Sequence, residues 1–299
     1  MKSFSMRAGI LLASLFVFSF SLFVNPFPAL AKELTILTAF GTSDMEAGKS
    51  LTAIKTAYEK NGDTVIWAYS SNIIRAKLNK EKQVVYSVTE ALDFAAENGY
   101  KDVKIQSLHV VPAEEYMKIC RLISRYMESK GENFNSVTMG HPLLSSKQDL
   151  DKTVEAVFSA LPKERTKEDA LILMGHGNDR GTGDLSLLAA AHAFHSADPM
   201  VWLATVEGAL AFDNVLAELT QTNAQKVWLM PFMIVAGDHA KNDMAGEEEA
   251  SWKTILIKKG YEVHTVLNGL GSNPKIQRLF IEHTKNSRDN IKDGTIISR

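Results

Sequence analysis

The feature that most constrains this 299-residue chain is an internal repeat, because its second half restates the first at a nearly constant offset. Ile36-Leu37-Thr38-Ala39-Phe40-Gly41 matches Ile172-Leu173-Met174-Gly175-His176-Gly177. Trp67-Ala68-Tyr69-Ser70-Ser71-Asn72 lies against Trp202-Leu203-Ala204-Thr205-Val206-Glu207. Val103 through Tyr116 falls on Val227 through Ala240, which pairs Glu115 with His239. Identity is thin, but three matches in the same order restrict the chain to folds built twice.

Each copy alternates short β-rich runs with amphipathic segments. In the first half, strands are expected at 34–40, 64–69, 103–109 and 135–139, with helices at 45–60, across 72–97, at 114–130 and at 147–160. In the second half, strands are expected at 170–175, 200–206, 226–235 and 261–266, with helices at 185–195, 208–222, 240–259 and 274–286. Strand–helix alternation with runs apolar on both faces predicts parallel sheets covered on both sides. The expected fold is therefore α/β, with two similar domains at 32–150 and 151–299 facing each other across a cleft. In such sheets, ligands bind beyond the carboxyl ends of the strands.

The chain opens with Lys2 and Arg7, runs apolar from Ala8 to about Val24, and reaches Ala29-Leu30-Ala31 after the breakers Asn25, Pro26 and Pro28. That pattern predicts a secretory signal peptide over 1–31, cleaved after Ala31, and a periplasmic mature protein. No later stretch reaches the ~18 apolar residues of a spanning helix. Removing 1–31 leaves 33 − 2 = 31 basic against 35 acidic residues, so nucleic acid is not an expected partner. Cys120 is the sole cysteine, which excludes an internal disulfide. Stability must come from a packed core.

Where the repeats differ, chemistry is expected. Phe40, Asn72 and Glu115 of the first half stand against His176, Glu207 and His239 of the second. All three second-half residues fall at or just past expected strand ends, and neighbouring strands are only ~4.8 Å apart. Two imidazoles and a carboxylate suit Co, Fe, Ni or Zn. Three protein ligands also leave open the positions needed to hand a metal on. Gly41-Thr42-Ser43 and Gly177-Asn178, each preceding a helix, offer backbone N–H groups for anions. Arg75 and Lys77 could add positive charge there, or simply be solvated helix positions.

These segments resemble a known family. Met174-Gly175-His176-Gly177, Val206-Glu207-Gly208, the long block from Leu229 to Met244, and Gly269-Leu270-Gly271-Ser272-Asn273-Pro274 are similar to the anaerobic cobaltochelatases of cobalamin synthesis. Ala39 to Ser43, Ile73 to Leu78, Ile105 to His109 and Pro142 to Ser146 extend the resemblance over the mature chain. It implies a two-domain chelatase fold, shared with ferrochelatases, and a sirohydrochlorin-type tetrapyrrole as partner. It also implies Co2+ as the bound substrate metal, with Fe2+ or Ni2+ as alternatives, held by His176, Glu207 and His239. Insertion removes two pyrrole protons, and His176 and Glu207 are the candidate acceptors. Phe40, Gly41, Thr42, Ser43 and Gly177 are the candidate substrate contacts.

His109, expected at a strand end, is a candidate haem ligand or a hydrogen-bonded strand-end histidine. Haem is thus a further candidate cofactor, and a homo-oligomer is compatible with the sequence. Corrin assembly is cytoplasmic chemistry, so an export signal also suggests an alternative, a non-catalytic haem or metal-tetrapyrrole carrier on the same fold. A zinc hydrolase is disfavoured by the lack of a further acid or nucleophile motif. His192 and His195 have metal-like spacing but an ordinary surface explanation. Glu247-Glu248-Glu249 reads as a solvated turn, and Gly181-Thr182-Gly183 is too weak a glycine pattern for a phosphate loop.

Overall fold

The computed structural model describes residues 32–178 and 183–287. The expected signal segment, and Gly181 and Thr182, lie outside the described residues. The described residues form one compact unit.

The first sheet contains β1 (Glu33–Ala39), β2 (Val65–Tyr69), β3 (Asp102–Ser107) and β4 (Ser136–Gly140). The second contains β5 (Ala170–Gly175), β6 (Val201–Thr205), β7 (Lys226–Pro231) and β8 (Glu262–Thr265). Strand orders are β2-β1-β3-β4 and β6-β5-β7-β8, so the sheets share one topology. Every neighbouring pair is parallel. The inner strands are buried on both faces, as Leu-, Ile- and Val-rich parallel strands must be.

The connecting helices are α1 (Met45–Lys60), α2 (Asn72–Lys80), α3 (Val88–Glu97), α4 (Glu114–Lys130), α5 (Lys147–Phe158), α6 (Gly183–Ala197), α7 (Phe212–Leu219), α8 (Trp252–Lys258) and α9 (Pro274–Asn286). Six of these starts are written in short polar side chains. Asp44, Ser71, Ser146, Ser251 and Asn273 each accept a first-turn N–H, and Ser87 forms a full capping box with Glu90. No helix of the described residues is long and apolar enough to cross a membrane.

Three expectations need correction. The helix expected over 208–222 begins only at Phe212, because Gly208 adopts φ 90° and Thr205 bridges to Ala211 instead. The strand expected over 226–235 leaves its ladder at Pro231, a residue with no N–H to donate. The single helix expected over 240–259 is a π-helical turn at Ala240–Met244, a loop, and then α8. Gly246 sits in that loop, where an added Cβ would lie 2.3 Å from the Asn242 carbonyl oxygen.

The repeat is real in three dimensions, with one slip. Ser70 N–H donates to Ala39 O as Val206 N–H does to Gly175 O, and Ser71 N–H donates to Phe40 O as Glu207 N–H does to His176 O. Phe40 and His176 are therefore equivalent. Glu207 corresponds to Ser71, however, and not to Asn72. Ile66 pairs with Ile36 as Trp202 pairs with Ile172, so the matching tryptophans Trp67 and Trp202 are one register apart.

The halves share a core. Leu37, Leu51 and Ile54 of the first half belong to one apolar cluster with Leu171, Phe194 and Phe232 of the second. Helix α9 packs on α1, α5, β3 and β4, so the last helix in sequence serves the first sheet. Its Thr284 hydroxyl pairs with the Tyr58 hydroxyl at 2.6 Å and donates to Gln106 Oε1 at 2.9 Å. Residue 150, the expected domain border, lies inside α5.

Candidate metal centre

Three loops at the carboxyl edge of the second sheet carry the candidate ligands. His176 directly follows β5, and Glu207 lies two residues past the end of β6 at Thr205. Gly177 is left-handed at φ 86°, and an added Cβ there would stand 1.7 Å from the Glu207 carbonyl oxygen. Only glycine lets the two loops approach this closely. His239 was expected at a strand end. It stands instead eight residues beyond β7 (239 − 231 = 8), at the start of the π-helical turn.

The structure brings these side chains together. The His176 and His239 ring centroids are 5.0 Å apart and nearly perpendicular. Two imidazoles sharing one ion through M–N bonds of ~2.1 Å in tetrahedral array stand at about this separation. Glu207 Oε1 is 3.3 Å from His176 Nδ1. The three are not closed into a cage: among the described residues, no three His, Cys, Asp or Glu side chains stand close enough together to hold a metal ion as they are placed. Glu207 is turned toward Nδ1 of His176, and at 47% exposure its side chain has room to rotate onto a shared ion. The donor set is right for a borderline divalent metal, and its openness suits one that is taken up and released.

A fourth group, which the repeat does not mark, stands beside His239. Asp243 Oδ2 is 2.5 Å from His239 Nδ1, one turn along the chain. A carboxylate on Nδ1 fixes the tautomer and leaves Nε2 as the coordinating nitrogen. The spacing His239-x-x-x-Asp243 was readable in the sequence as an i,i+4 pair.

The other candidates have definite places. Phe40 is 53% exposed at the matching edge of the first sheet, and Met45 and Ile73, at the starts of α1 and α2, are exposed too. Gly41 is left-handed at φ 96° and packs on the Tyr69 ring. The Gly41-Thr42-Ser43 turn ends in Asp44, whose carboxylate already caps Ala47 N–H and pairs with Lys241. That pairing holds the Asp44 carboxyl below its usual range. The Asn178 N–H in the other turn donates to Asp184. Arg75 is committed to the Tyr69 carbonyl and to Asn72, while Lys77 is exposed. His192 and His195 have separate partners, Ser196 and the Val201 carbonyl. Lys253 and Lys258 pair with Glu247 and Glu249 on the surface.

His109 occupies the first-half position of Met233, since Leu143 N–H donates to its carbonyl as Leu270 N–H does to that of Met233. Its Nδ1 pairs with Ser107 Oγ at 2.9 Å, and its Nε2 is buried without a partner. Burial pulls its pKa down to about 4, against a smaller upward pull from Glu115. The nitrogen an iron would need is covered.

Comparison with known proteins agrees with this fold. Similar folds are seen in SirB from Bacillus subtilis with Fe3+, at TM-score 0.60 and 13% identity over 85% of this chain and 94% of that one. The sirohydrochlorin chelatase SirB from Bacillus subtilis subspecies spizizenii in complex with cobalt gives 0.58 and 12% over the same shares. A sirohydrochlorin cobaltochelatase, CbiKC, of Nitratidesulfovibrio vulgaris is 31% identical over 256 residues, spanning 85% of this chain and 90% of the relative. That of Salmonella typhimurium is 34% identical over 227 residues, spanning 72% and 80%. A family model described as Cobalt chelatase (CbiK) matches residues 33–289. The chain belongs to the Cobalt chelatase (CbiK) family.

Proposed function

We propose that this protein inserts Co2+ into sirohydrochlorin, releasing two protons. The observation that carries the proposal is the perpendicular His176–His239 pair at 5.0 Å, with Glu207 against it, on an open sheet edge. Both sirohydrochlorin cobaltochelatase relatives support the substrate and the metal. His176 and His239 hold the incoming ion, and Glu207 swings from His176 Nδ1 to complete its shell. As Co2+ bonds to the macrocycle nitrogens, two pyrrole N–H bonds break. His176 and Glu207, half-exposed and adjacent, receive those protons and pass them to water. Exposed Phe40 and Ile73 of the first half are the apolar residues we assign to the macrocycle plane.

The test is to add Co2+ to protein and sirohydrochlorin and follow the absorption spectrum, with Fe2+ and Ni2+ as competing metals. Insertion faster than in protein-free solution supports the enzyme. Tight binding of both partners without acceleration would support the carrier. Residues 1–31 are taken as an export signal, and exported protein should begin at Lys32 on N-terminal sequencing. Haem ligation by His109 would require its covered Nε2 to open, so a Soret band lost in His109→Ala is the result that would establish it.

A further inference from the structure

We infer that Asp184 is a positioning residue that clamps together the two loops carrying His176 and Glu207. Its carboxylate lies in the first turn of α6, yet its described bonds go to two backbone N–H groups outside that helix. Oδ1 accepts the N–H of Asn178, two residues past His176, at 3.0 Å. Oδ2 accepts the N–H of Ala209, two residues past Glu207, at 2.9 Å. One rigid planar group thus fixes the distance between the two loops.

The backbone around the clamp is shaped to admit it. Gly208 adopts φ 90°, and a Cβ there would stand 2.5 Å from Asp184 Oδ2. On the far side, Gly177 lets its loop close on the Glu207 carbonyl. Charged acceptors form shorter and stronger bonds to N–H groups than neutral ones. The first half, which carries Phe40 and Ser71 in place of His176 and Glu207, is built differently. The carboxylate at the start of its first helix, Asp44, caps that helix at Ala47 and pairs with Lys241. The clamp occurs in the half that has ligands to hold.

This inference rests on the proposed function, because it assigns Asp184 the task of setting the His176–Glu207 spacing for Co2+. It makes Asp184 act on metal capture and not on the tetrapyrrole. Asp184→Asn keeps the shape but turns one acceptor into a donor facing an N–H. Asp184→Glu keeps the charge but moves it by one methylene. Residues that orient metal ligands commonly contribute about 10–100-fold to metal affinity.

The experiment measures the initial insertion rate of the full protein and of both variants while Co2+ and sirohydrochlorin are varied separately. Melting and the electronic spectrum of bound Co2+ are recorded alongside. A raised KM for Co2+, an altered Co2+ spectrum and an unchanged KM for sirohydrochlorin in the folded variants support the clamp. Folded variants with parental Co2+ affinity and spectrum, or variants that fail to fold in both substitutions, overturn it by reducing Asp184 to a structural role. If the parent protein itself neither binds nor inserts Co2+, the proposed function fails, a different result from parental behaviour in the variants.

Discussion

Replacing Gly177 with alanine tests how tightly the two ligand loops must approach. Gly177 has φ 86°, a conformation that costs an L-residue about 1–2 kcal/mol. The larger effect is steric. The new Cβ would lie 1.7 Å from the Glu207 carbonyl oxygen, whereas contacts below 3.0 Å are essentially never seen, so the Glu207 backbone must retreat by about 3.0 − 1.7 = 1.3 Å. Glu207 is tied to the His176 carbonyl by its N–H at 3.1 Å, and its side chain lies 3.3 Å from His176 Nδ1. Displacement of about 1 Å at a reacting group commonly lowers rate by about 10²-fold. Gly62→Ala is the control, because φ there is 95° but nothing lies within 4 Å of the added carbon. Gly62→Ala should lose stability alone. Gly177→Ala should lose stability and about 10²-fold in Co2+ insertion, read from initial rates by absorption and from urea melts. A folded Gly177→Ala protein that inserts Co2+ at the parental rate would refute the reasoning.

Acid should act through His109: its pKa is about 4 in the fold against 6.5 in the unfolded chain, so stability is complete above pH 6.5 and is lost as pH falls toward 4. Between pH 6.5 and 5 the loss should be about 2 kcal/mol, and urea midpoints should show it missing from His109→Gln; equal losses in both proteins would contradict the assignment. Asp243→Asn should weaken Co2+ binding by about 10–100-fold by calorimetric titration and slow insertion only at low Co2+, while unchanged affinity would show that His239 needs no carboxylate to orient it.

Much of the architecture is legible because it rests on local chemistry. Apolar runs buried on both faces mark parallel strands, and capping side chains such as Ser87 with Glu90 mark helix starts. The candidate residues stood out through the repeat, since Phe40 and His176 occupy one position in two copies. What escaped depends on backbone geometry that residue identity does not encode. Trp67 and Trp202 match as letters but sit one register apart, so Ser71 and not Asn72 corresponds to Glu207. His239 lies on a π-helical turn, which a 3.6-residue period does not announce. Asp184 was invisible because both its partners are backbone N–H groups. The unity of the core was hidden too, since α9 returns to pack on the first sheet.

The central claim is that His176, Glu207 and His239 act as one metal-handling unit. It is tested most directly by measuring Co2+ insertion into sirohydrochlorin with each single alanine variant and the triple variant, at matched folded fractions. Loss of a group that ligates metal and accepts protons should lower the rate by about 10²–10⁴-fold. Each single variant should fall nearly as far as the triple, because residues that act together do not contribute additively. Near-parental rates in both His176→Ala and His239→Ala would contradict it.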